Sequence, residues 1–372
     1  MEWLNHLLNG LSQGANYALI AVGYTMVYGI IKLINFAHGE FYMLGAYAGF
    51  FLLVNALGVN EVGGAPGLHI LILTLLVASL ASGVIAVIVE RLCYKPLRGA
   101  GRIVALLAAL GVSMFLQNYM QQGASPAARK FPPTIEVQRY PKFELNFESL
   151  VPGATAERDT ALAYYVRDDV GRLQLRQYML CTKGDAFEAD KLAEARTIAA
   201  TSASPAKVYG YPALTVNSKQ FALFITLGLV ALGLFWIVQH TRFGRAMRAV
   251  SHDFEAARLM GINVDRVITG TFFIGAFVAG LGGVLTGGMY FERIDPLMGS
   301  SMGLKAFIAA VLGGIGSIPG AILGALLLGV SEKLVEASDF SGARDGVAFA
   351  ILIGILLVRP QGLLGRFEGE KV

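Results

Sequence analysis

Apolar runs long enough to cross a lipid bilayer recur along this chain. Residues 68–89, 221–238 and 267–288 are three examples, and none of them contains Asp, Glu, Lys or Arg. A helix needs roughly 20 such residues to span the hydrocarbon core, and a backbone in lipid must satisfy its own hydrogen bonds. Charged residues make up 15% of the chain, against about 25% in soluble domains. We therefore expect an all-α, polytopic transmembrane helix bundle.

Eight apolar runs are candidates for membrane-spanning segments, and the seventh is unlike the others. Its middle, from Gly313 to Gly320, holds four glycines and Pro319. A proline removes a backbone donor and clashes with the preceding turn, so we interpret this run as two segments that meet at a break. The break is either a tight hairpin or a discontinuous helix, and it predicts nine crossings, with eight as the alternative. The runs are residues 7–31, 37–58, 68–90, 103–123, 219–239, 267–290, 304–331 and 346–358.

Glycines spaced four residues apart occur in several places. Gly10 and Gly14 are one such pair, and Gly320 and Gly324 are another. Small residues at this spacing let helices approach closely in lipid. We expect this packing to occur within one subunit, with a dimer interface as the alternative.

Basic residues in short loops indicate which side of a membrane protein is cytoplasmic. Residues 91–102 are basic and contain no acid, and residues 240–266 carry five arginines against three acidic residues. Each of these loops follows an odd-numbered run. We therefore expect the N-terminus outside and the C-terminal residues 359–372 in the cytoplasm of a multi-pass membrane protein.

The stretch between the fourth and fifth runs, residues 124–217, is polar and unlike the rest of the chain. It separates transmembrane residues 1–123 from transmembrane residues 218–372. Long loops cross membranes regardless of charge, and the place of this insertion after an even-numbered run predicts that it is extracytoplasmic. Residues 172–180 partly alternate as a strand does, and residues 185–200 have a helical pattern. These patterns favour a small outward-facing domain, with a partly disordered loop as the alternative.

Motifs that would supply chemistry are missing from the sequence. There is no G-x-x-x-x-G-K-[ST] phosphate loop and no H-E-x-x-H metal motif, and the chain contains no Gly-Lys pair. The five histidines lack ligand spacing, and the two cysteines, Cys93 and Cys181, fall on opposite sides of the membrane in the predicted topology. We therefore expect a protein that is not an enzyme, with no catalytic residue, metal, cofactor or nucleic-acid partner.

A short charged segment, SHDFEAARLMGIN, separates the fifth and sixth runs. Asp253 suits the position before a helix, and Glu255 favours the positive end of the helix dipole. Phe254, Ala257 and Gly261 recur at i, i+3 and i+7 and so share one small and apolar face. Gly261 also suits a C-terminal stop. The pattern predicts a short cytoplasmic helix that either lies on the membrane or inserts into a groove on a partner.

Polar residues also lie within or beside the apolar runs. Asn35, His38 and Glu40 form a cluster at the start of the second run. Ionisable groups at membrane depth are costly and tend to face cavities or partners. Three interpretations stay open: a place among lipid headgroups, a network that anchors a helix, or a role in the translocation pathway. Further pathway candidates are Asn16, Tyr17 and Lys305. Lys305 is expected to snorkel outward.

Three long motifs resemble the permease subunits of branched-chain amino-acid ABC transporters. They are residues 34–49 (INFAHGEFYMLGAYAG), 242–267 (RFGRAMRAVSHDFEAARLMGINVDRV) and 305–329 (KAFIAAVLGGIGSIPGAILGALLLG), and the closing residues 358–372 fit as well. The resemblance covers nearly all of the chain except the insertion 124–217, where the family has a much shorter connection. This departure bears on the surface at which an outside partner docks.

The resemblance implies an inner-membrane subunit that forms a translocation pathway for branched-chain amino acids or related small amino acids and amides. Its implied partners are a second related permease, two ABC ATPase subunits and an extracytoplasmic solute-binding protein. The stretch EAARLMGIN resembles the EAA loop, which docks into a cleft of the ATPase, and Phe254 and Ala257 are expected to fill that cleft. The residues that the resemblance assigns to coupling are Gly244, Arg245, Arg248, Phe254, Glu255, Ala256, Ala257, Gly261 and Ile262.

A stand-alone secondary transporter or channel for a small solute is the alternative function. Such a protein would need coupling-ion carboxylates deep within its spans, whereas we expect these spans to be nearly free of Asp and Glu away from their ends. A third hypothesis makes the insertion a sensor or adhesion module on a permease scaffold.

Overall fold

The computed structural model contains two compact units. One comprises Asn9–Val137 and Ser218–Val372 and is called the helical unit here; the other comprises Met1–Leu8 and Gln138–Asn217 and is called the polar unit. The structure describes residues 2–33, 35–59, 68–132, 139–140, 160–167, 173–181, 209–211, 216–290, 293–338, 342, 344–359 and 361–365.

The apolar runs form helices because a backbone inside lipid must bond to itself. Six of the described helices are long and apolar enough to cross a membrane, and Met298–Gly313 and Gly346–Val358 are shorter apolar helices. All eight predicted runs lie on helices, which confirms the all-α polytopic bundle. The helices are α1 (Glu2–Ile31), α2 (His38–Phe51), α3 (Leu68–Val89), α4 (Arg102–Ala124), α5 (Ser218–His240), α6 (Arg242–His252), α7 (Phe254–Leu259), α8 (Val264–Leu285), α9 (Met298–Gly313), α10 (Ile318–Glu336) and α11 (Arg344–Val358). Wider helical turns continue three of them, α2 over Leu52–Ala56, α3 over Glu90–Tyr94 and α8 over Thr286–Tyr290.

The seventh run is broken, as the sequence predicts. α9 ends at Gly313 and α10 begins at Ile318. Between them Gly314 and Gly316 have φ values of +103° and +98°, a backbone conformation that glycine adopts without steric cost. The break adds one apolar helix to the eight runs, in keeping with the nine crossings that we predict; the number of crossings itself stays a prediction.

α9 and α10 pack as an antiparallel hairpin, so the hairpin interpretation of the break is the right one. Ser317 caps α10 by accepting a hydrogen bond of 3.2 Å from the Gly320 amide. Pro319 lies in the first turn of α10, where its missing donor costs no helical hydrogen bond. A Cβ added at Gly324 would lie 2.6 Å from the Gly313 nitrogen, so the two backbones are in direct contact.

α1 lies at the centre of the helical unit and is buried without interruption over residues 12–27. Two glycines bring α10 against it. A Cβ added at Gly10 would lie 2.7 Å from Val330 Cα, and one added at Gly14 would lie 2.6 Å from Leu326 Cα. The Gly10/Gly14 spacing therefore serves packing within one subunit, as expected.

Short strands complete the described structure. β1 (Arg129–Lys130) pairs antiparallel with β7 (Arg293–Ile294) in the helical unit. In the polar unit β2 pairs with β6, and β3 lies between β4 and β5. The strand predicted over 172–180 is confirmed as β4, whereas the helix predicted over 185–200 lies outside the described residues. The polar-unit strands are β2 (Arg139–Tyr140), β3 (Thr160–Arg167), β4 (Leu173–Cys181), β5 (Tyr209–Tyr211) and β6 (Val216–Asn217).

Gly14→Leu tests the contact between α1 and α10. The added side chain would meet the backbone of α10, and such overpacking costs about 1–3 kcal/mol, so we expect a lower melting temperature in detergent. Gly111→Leu in α4 is the matched control, because a Cβ there meets nothing within 4 Å. Equal melting temperatures for the two variants would contradict the packing described here.

Candidate functional site

Two short capped helices, α6 and α7, join the membrane helices α5 and α8; residues 241–263 are called the coupling segment here. Thr241 Oγ1 accepts a hydrogen bond of 3.0 Å from the Gly244 amide at the start of α6. Asp253 Oδ1 accepts hydrogen bonds from the amides of Glu255 at 2.9 Å and Ala256 at 3.0 Å. The predicted Asp253 cap is therefore confirmed. These caps satisfy amides that a short helix leaves unbonded at its start.

The end of α7 is equally well defined. Gly261 has a φ of +79°, and its amide bonds to the Arg258 carbonyl at 3.0 Å. The Ile262 amide bonds to the Ala257 carbonyl, also at 3.0 Å. Gly261 is thus the predicted stop, and α7 reaches α8 through a hydrogen-bonded turn rather than a slack linker.

The apolar face of α7 is turned toward the permease itself. Ala257 is buried, and Phe254 and Ile262 are partly buried against the apolar core. In this conformation that face holds the short helix to the bundle, and the expectation that Phe254 and Ala257 fill a partner's cleft stays a prediction. The exposed apolar side chains are Leu259 at 88% and Met260 at 83%.

The remaining coupling candidates either contact α5 or are exposed to solvent. Gly244 is buried, and a Cβ there would overlap the Ile237 and Val238 carbonyls at the end of α5. Arg248 donates to the Val238 carbonyl and so ties α6 to α5. Arg248 is itself exposed, as are Arg245, Glu255, Ala256 and Gly261.

A charged network joins the end of α3 to the start of α8. Arg98 donates to Glu90 and, at 2.5 Å, to Asp265 Oδ1. Lys95 Nζ lies 2.9 Å from Asp265 Oδ2, and Thr269 Oγ1 donates to Glu90 Oε2 at 2.8 Å. Lys95 and Arg98 lie in one predicted cytoplasmic loop and Asp265 in the other, but the charge of each loop does not show that the two loops pair.

A second polar cluster is buried within the helical unit. Glu332 of α10 accepts hydrogen bonds from Gln13 Nε2 at 2.7 Å and Tyr17 Oη at 2.8 Å, both on α1. Lys305 Nζ of α9 lies 3.1 Å from Glu332 Oε1. The expectation that Lys305 snorkels outward is therefore wrong, because a buried carboxylate needs a counter-charge. Glu332 lies near the C-terminal end of α10, so the expectation that the spans are nearly free of Asp and Glu away from their ends stays a prediction.

Glu40 is enclosed by protein and bonded to another helix. It is fully buried and accepts hydrogen bonds from Ser113 Oγ at 2.9 Å and Gln117 Nε2 at 2.7 Å, in the middle of α4. Glu40 occupies the first turn of α2, and a Cβ at Gly299, in the first turn of α9, would lie 3.0 Å from Glu40 Cδ. The Glu40 carboxylate therefore lies beside the first turn of α9, where the helix dipole favours negative charge.

Asn35, His38 and Asn16 also make contacts that hold helices together. Asn35 Oδ1 accepts hydrogen bonds from Tyr94 Oη at 2.7 Å and from the Ala37 amide at 3.1 Å. The His38 ring is fully buried and lies edge-on to Tyr24 at 4.7 Å between ring centroids. Asn16 Oδ1 accepts a hydrogen bond of 3.2 Å from Thr286 Oγ1. These contacts favour the helix-anchoring interpretation; a role of these residues in the pathway stays a prediction.

The helical unit is thus a polytopic bundle in which a pair of capped helices joins two candidate membrane spans. A profile of the family described as "Branched-chain amino acid transport system / permease component" matches residues 6–155 and 186–358. The chain belongs to this family. It is a multi-pass permease subunit of an ABC importer and not itself an enzyme.

Curated relatives agree over the full length. The chain is 37% identical to the high-affinity branched-chain amino acid transport system permease protein LivH of Salmonella typhimurium, over 100% of this chain and 98% of the relative. It is 36% identical to BraD of Pseudomonas aeruginosa over the same shares. The autoinducer 2 import system permease protein LsrC of Yersinia pseudotuberculosis is 32% identical over 35% of this chain and 38% of that protein. No solved structure matches.

The family match leaves a gap narrower than the predicted insertion. Residues 156–185 lie between the two matched stretches, and they include β3 and β4 of the polar unit. The boundaries 124–217 for a separate insertion stay a prediction.

Lys305→Met tests the buried ion pair. The change leaves the Glu332 carboxylate buried without its counter-charge, which costs about 3–5 kcal/mol, so we expect a large loss of thermal stability in detergent. Adding Glu332→Gln removes the unpaired charge and is expected to restore most of that loss. Lys333→Met is the matched control and should change stability little, because its partner Glu336 is 41% exposed and is solvated by water when the pair is broken. Equal effects of the two lysine changes would contradict the assignment.

Proposed function

We propose that this chain forms, together with a second related permease, the pathway through which an ABC importer takes up branched-chain amino acids or related small amino acids and amides. The observation that carries the proposal is the likeness, over the full chain, to permeases that are named for branched-chain amino acid transport. The further partners are two ABC ATPase subunits and an extracytoplasmic solute-binding protein. The inner membrane is the proposed location, with the N-terminus and the polar unit outside and the C-terminus in the cytoplasm.

The coupling segment is the proposed docking point for an ATPase. Leu259 and Met260 lie at the tip of α7 and are the two most exposed large apolar side chains there. Adjacent exposed apolar side chains rimmed by charge favour a contact with another protein, and Glu255 and Arg258 supply that rim. The tip of α7, rather than the buried face of Phe254 and Ala257, is therefore the part that enters the ATPase groove.

Import then follows from two conformations of the bundle. The ATPases close on ATP and displace α7, and because α7 is capped and bonded at both ends, the displacement passes into α8 rather than into loop motion. The membrane helices rock between outward-open and inward-open arrangements, and the solute delivered by the binding protein crosses as these populations shift.

Lys305 is the predicted pathway residue that we place nearest the moving solute. Its side chain is 14% exposed, and the face of α9 beside it is exposed at Leu297, Ser300, Ser301 and Leu304. A face that combines hydroxyl and apolar groups suits contact with a small zwitterion and its aliphatic side chain. We propose that the five other candidates hold the helices in place; they are Asn16, Tyr17, Asn35, His38 and Glu40.

Leu259→Ser combined with Met260→Ser tests the docking point. Apolar anchors at the centre of an interface carry most of its binding free energy, so we expect the double variant to reach the membrane normally but to lose co-purification with the ATPase. The matched control is Leu357→Ser with Val358→Ser, a second exposed apolar pair, which should keep the ATPase bound. Normal retention of the ATPase by the Leu259/Met260 variant would exclude α7 as the docking element.

The substrate class is tested with the complete complex in proteoliposomes. We expect leucine, isoleucine or valine, presented on the binding protein, to stimulate ATP hydrolysis and to be taken up. Stimulation by urea or short amides alone would show that the proposed substrate class is wrong, while the proposal of an importer would still hold. Gradient-driven flux through this chain alone would instead favour a stand-alone secondary transporter.

A further inference from the structure

Arg98 lies between two carboxylates that belong to different helices. One guanidinium nitrogen bonds to Asp265 Oδ1 at 2.5 Å, and the other bonds to Glu90. Glu90 follows α3, and Asp265 is in the first turn of α8. A planar guanidinium can hold two acceptors in fixed directions, which a lysine ammonium does not do.

The two carboxylates differ in their exposure to solvent. The Glu90 side chain is fully buried, Arg98 is 22% exposed and Asp265 is 45% exposed. Water therefore weakens the bond from Arg98 to Glu90 far less than it weakens a surface ion pair. Thr269 Oγ1 donates to the other Glu90 oxygen at 2.8 Å, so Glu90 contacts α8 one helical turn farther along than Asp265.

Asp265 follows the coupling segment directly in the sequence. After Gly261 ends α7, the side chain of Asn263 caps α8 by accepting a hydrogen bond of 3.0 Å from the Arg266 amide. Asp265 is thus in the first turn of α8 after α7, and any displacement of α7 reaches this carboxylate before the rest of α8.

α3 in turn contacts α2 and α8 within the bundle. Ser82 of α3 donates to the Phe41 carbonyl of α2 at 2.8 Å and lies 2.9 Å from the Ala276 carbonyl of α8. A Cβ added at Gly280 of α8 would lie 3.1 Å from Ser79 Cα of α3. Movement of α3 therefore carries α2, the helix that begins at His38.

We propose that Arg98 is a positioning residue for transport. It holds α3 to the first turn of α8. A displacement that the ATPases impose on the coupling segment then moves α8, α3 and α2 together. The inference rests on the proposed docking of the ATPase at α7, and it assigns Arg98 a role that neither the family likeness nor the docking proposal requires.

The test compares Arg98→Gln with Lys95→Gln in the complete importer, reconstituted with its ATPases and solute-binding protein. Both changes remove one positive charge from the same loop and one partner of Asp265, but only Arg98 also holds the buried Glu90. The measured quantity is solute taken up per ATP hydrolysed, at equal amounts of permease in the membrane. Loss of a charge-assisted hydrogen bond predicts a fall of about tenfold for Arg98→Gln, with Lys95→Gln unchanged.

A second pair of variants separates positioning from folding. Arg98→Gln combined with Glu90→Gln removes the unpaired buried carboxylate, so the amount of permease in the membrane should return to that of the unmodified chain. Uptake per ATP should nevertheless stay low, because the bond from Arg98 to Asp265 is still absent, and the remaining pair of Lys95 with Asp265 is half exposed to water and holds the loop only weakly. Arg98→Lys keeps the positive charge but not the planar guanidinium that bonds to two carboxylates, so it should recover uptake only in part. Normal uptake per ATP in the Arg98→Gln/Glu90→Gln variant would overturn the proposal.

The outcome also distinguishes this inference from the docking proposal. If Arg98→Gln takes up a normal amount of solute per ATP while Leu259→Ser/Met260→Ser loses the ATPase, Arg98 has no positioning role and α7 remains the docking point. If both variants couple normally, the docking proposal fails as well, and the inference that rests on it fails with it.

Discussion

Polar groups placed inside lipid must find their partners within the protein, and this constraint shapes the helical unit more than any other. Glu332 meets Gln13, Tyr17 and Lys305, and each partner lies on another helix. Glu40 meets α4 through Ser113 and Gln117. Each buried carboxylate fixes the relative position of the helices that satisfy it, because loss of a partner leaves a buried charge exposed to a low dielectric. Apolar packing in lipid discriminates much less between alternative helix arrangements.

The features that the sequence predicted correctly are those set by neighbouring residues. Apolar length marks the helices, Asp253 and Gly261 mark the ends of α7, and Pro319 with its glycines marks the hairpin, since each depends on a few consecutive residues. The pairing of Lys305 with Glu332 could not be read in this way, because it depends on how α9 folds back along α10. The sequence also did not show which surface the Ala257 face of α7 contacts. A small apolar face fits a groove on a partner and the bundle of its own chain equally well, and periodicity does not distinguish the two.

Glu40 shows where local reasoning fails at membrane depth. Counting from the predicted start of the second run places it near the cytoplasmic surface, but α2 begins inside the bundle, beside the first turn of α9. The burial of a residue within the bundle therefore does not follow from its order in the sequence. Helices that begin within a membrane expose amide groups to the protein interior, and a carboxylate with two hydrogen-bonding neighbours on α4 is well suited to that setting.

The tip of the α9–α10 hairpin is held by the chain that follows the last helix. The amides of Leu363 and Leu364 bond to the carbonyls of Leu312 and Gly313, both at 2.9 Å, and α11 itself packs on both arms of the hairpin. Separating α9, α10 and α11 would therefore break backbone hydrogen bonds at the tip of the hairpin. We therefore expect α9, α10 and α11 to move together during a transport cycle, because a hinge between them would break these bonds.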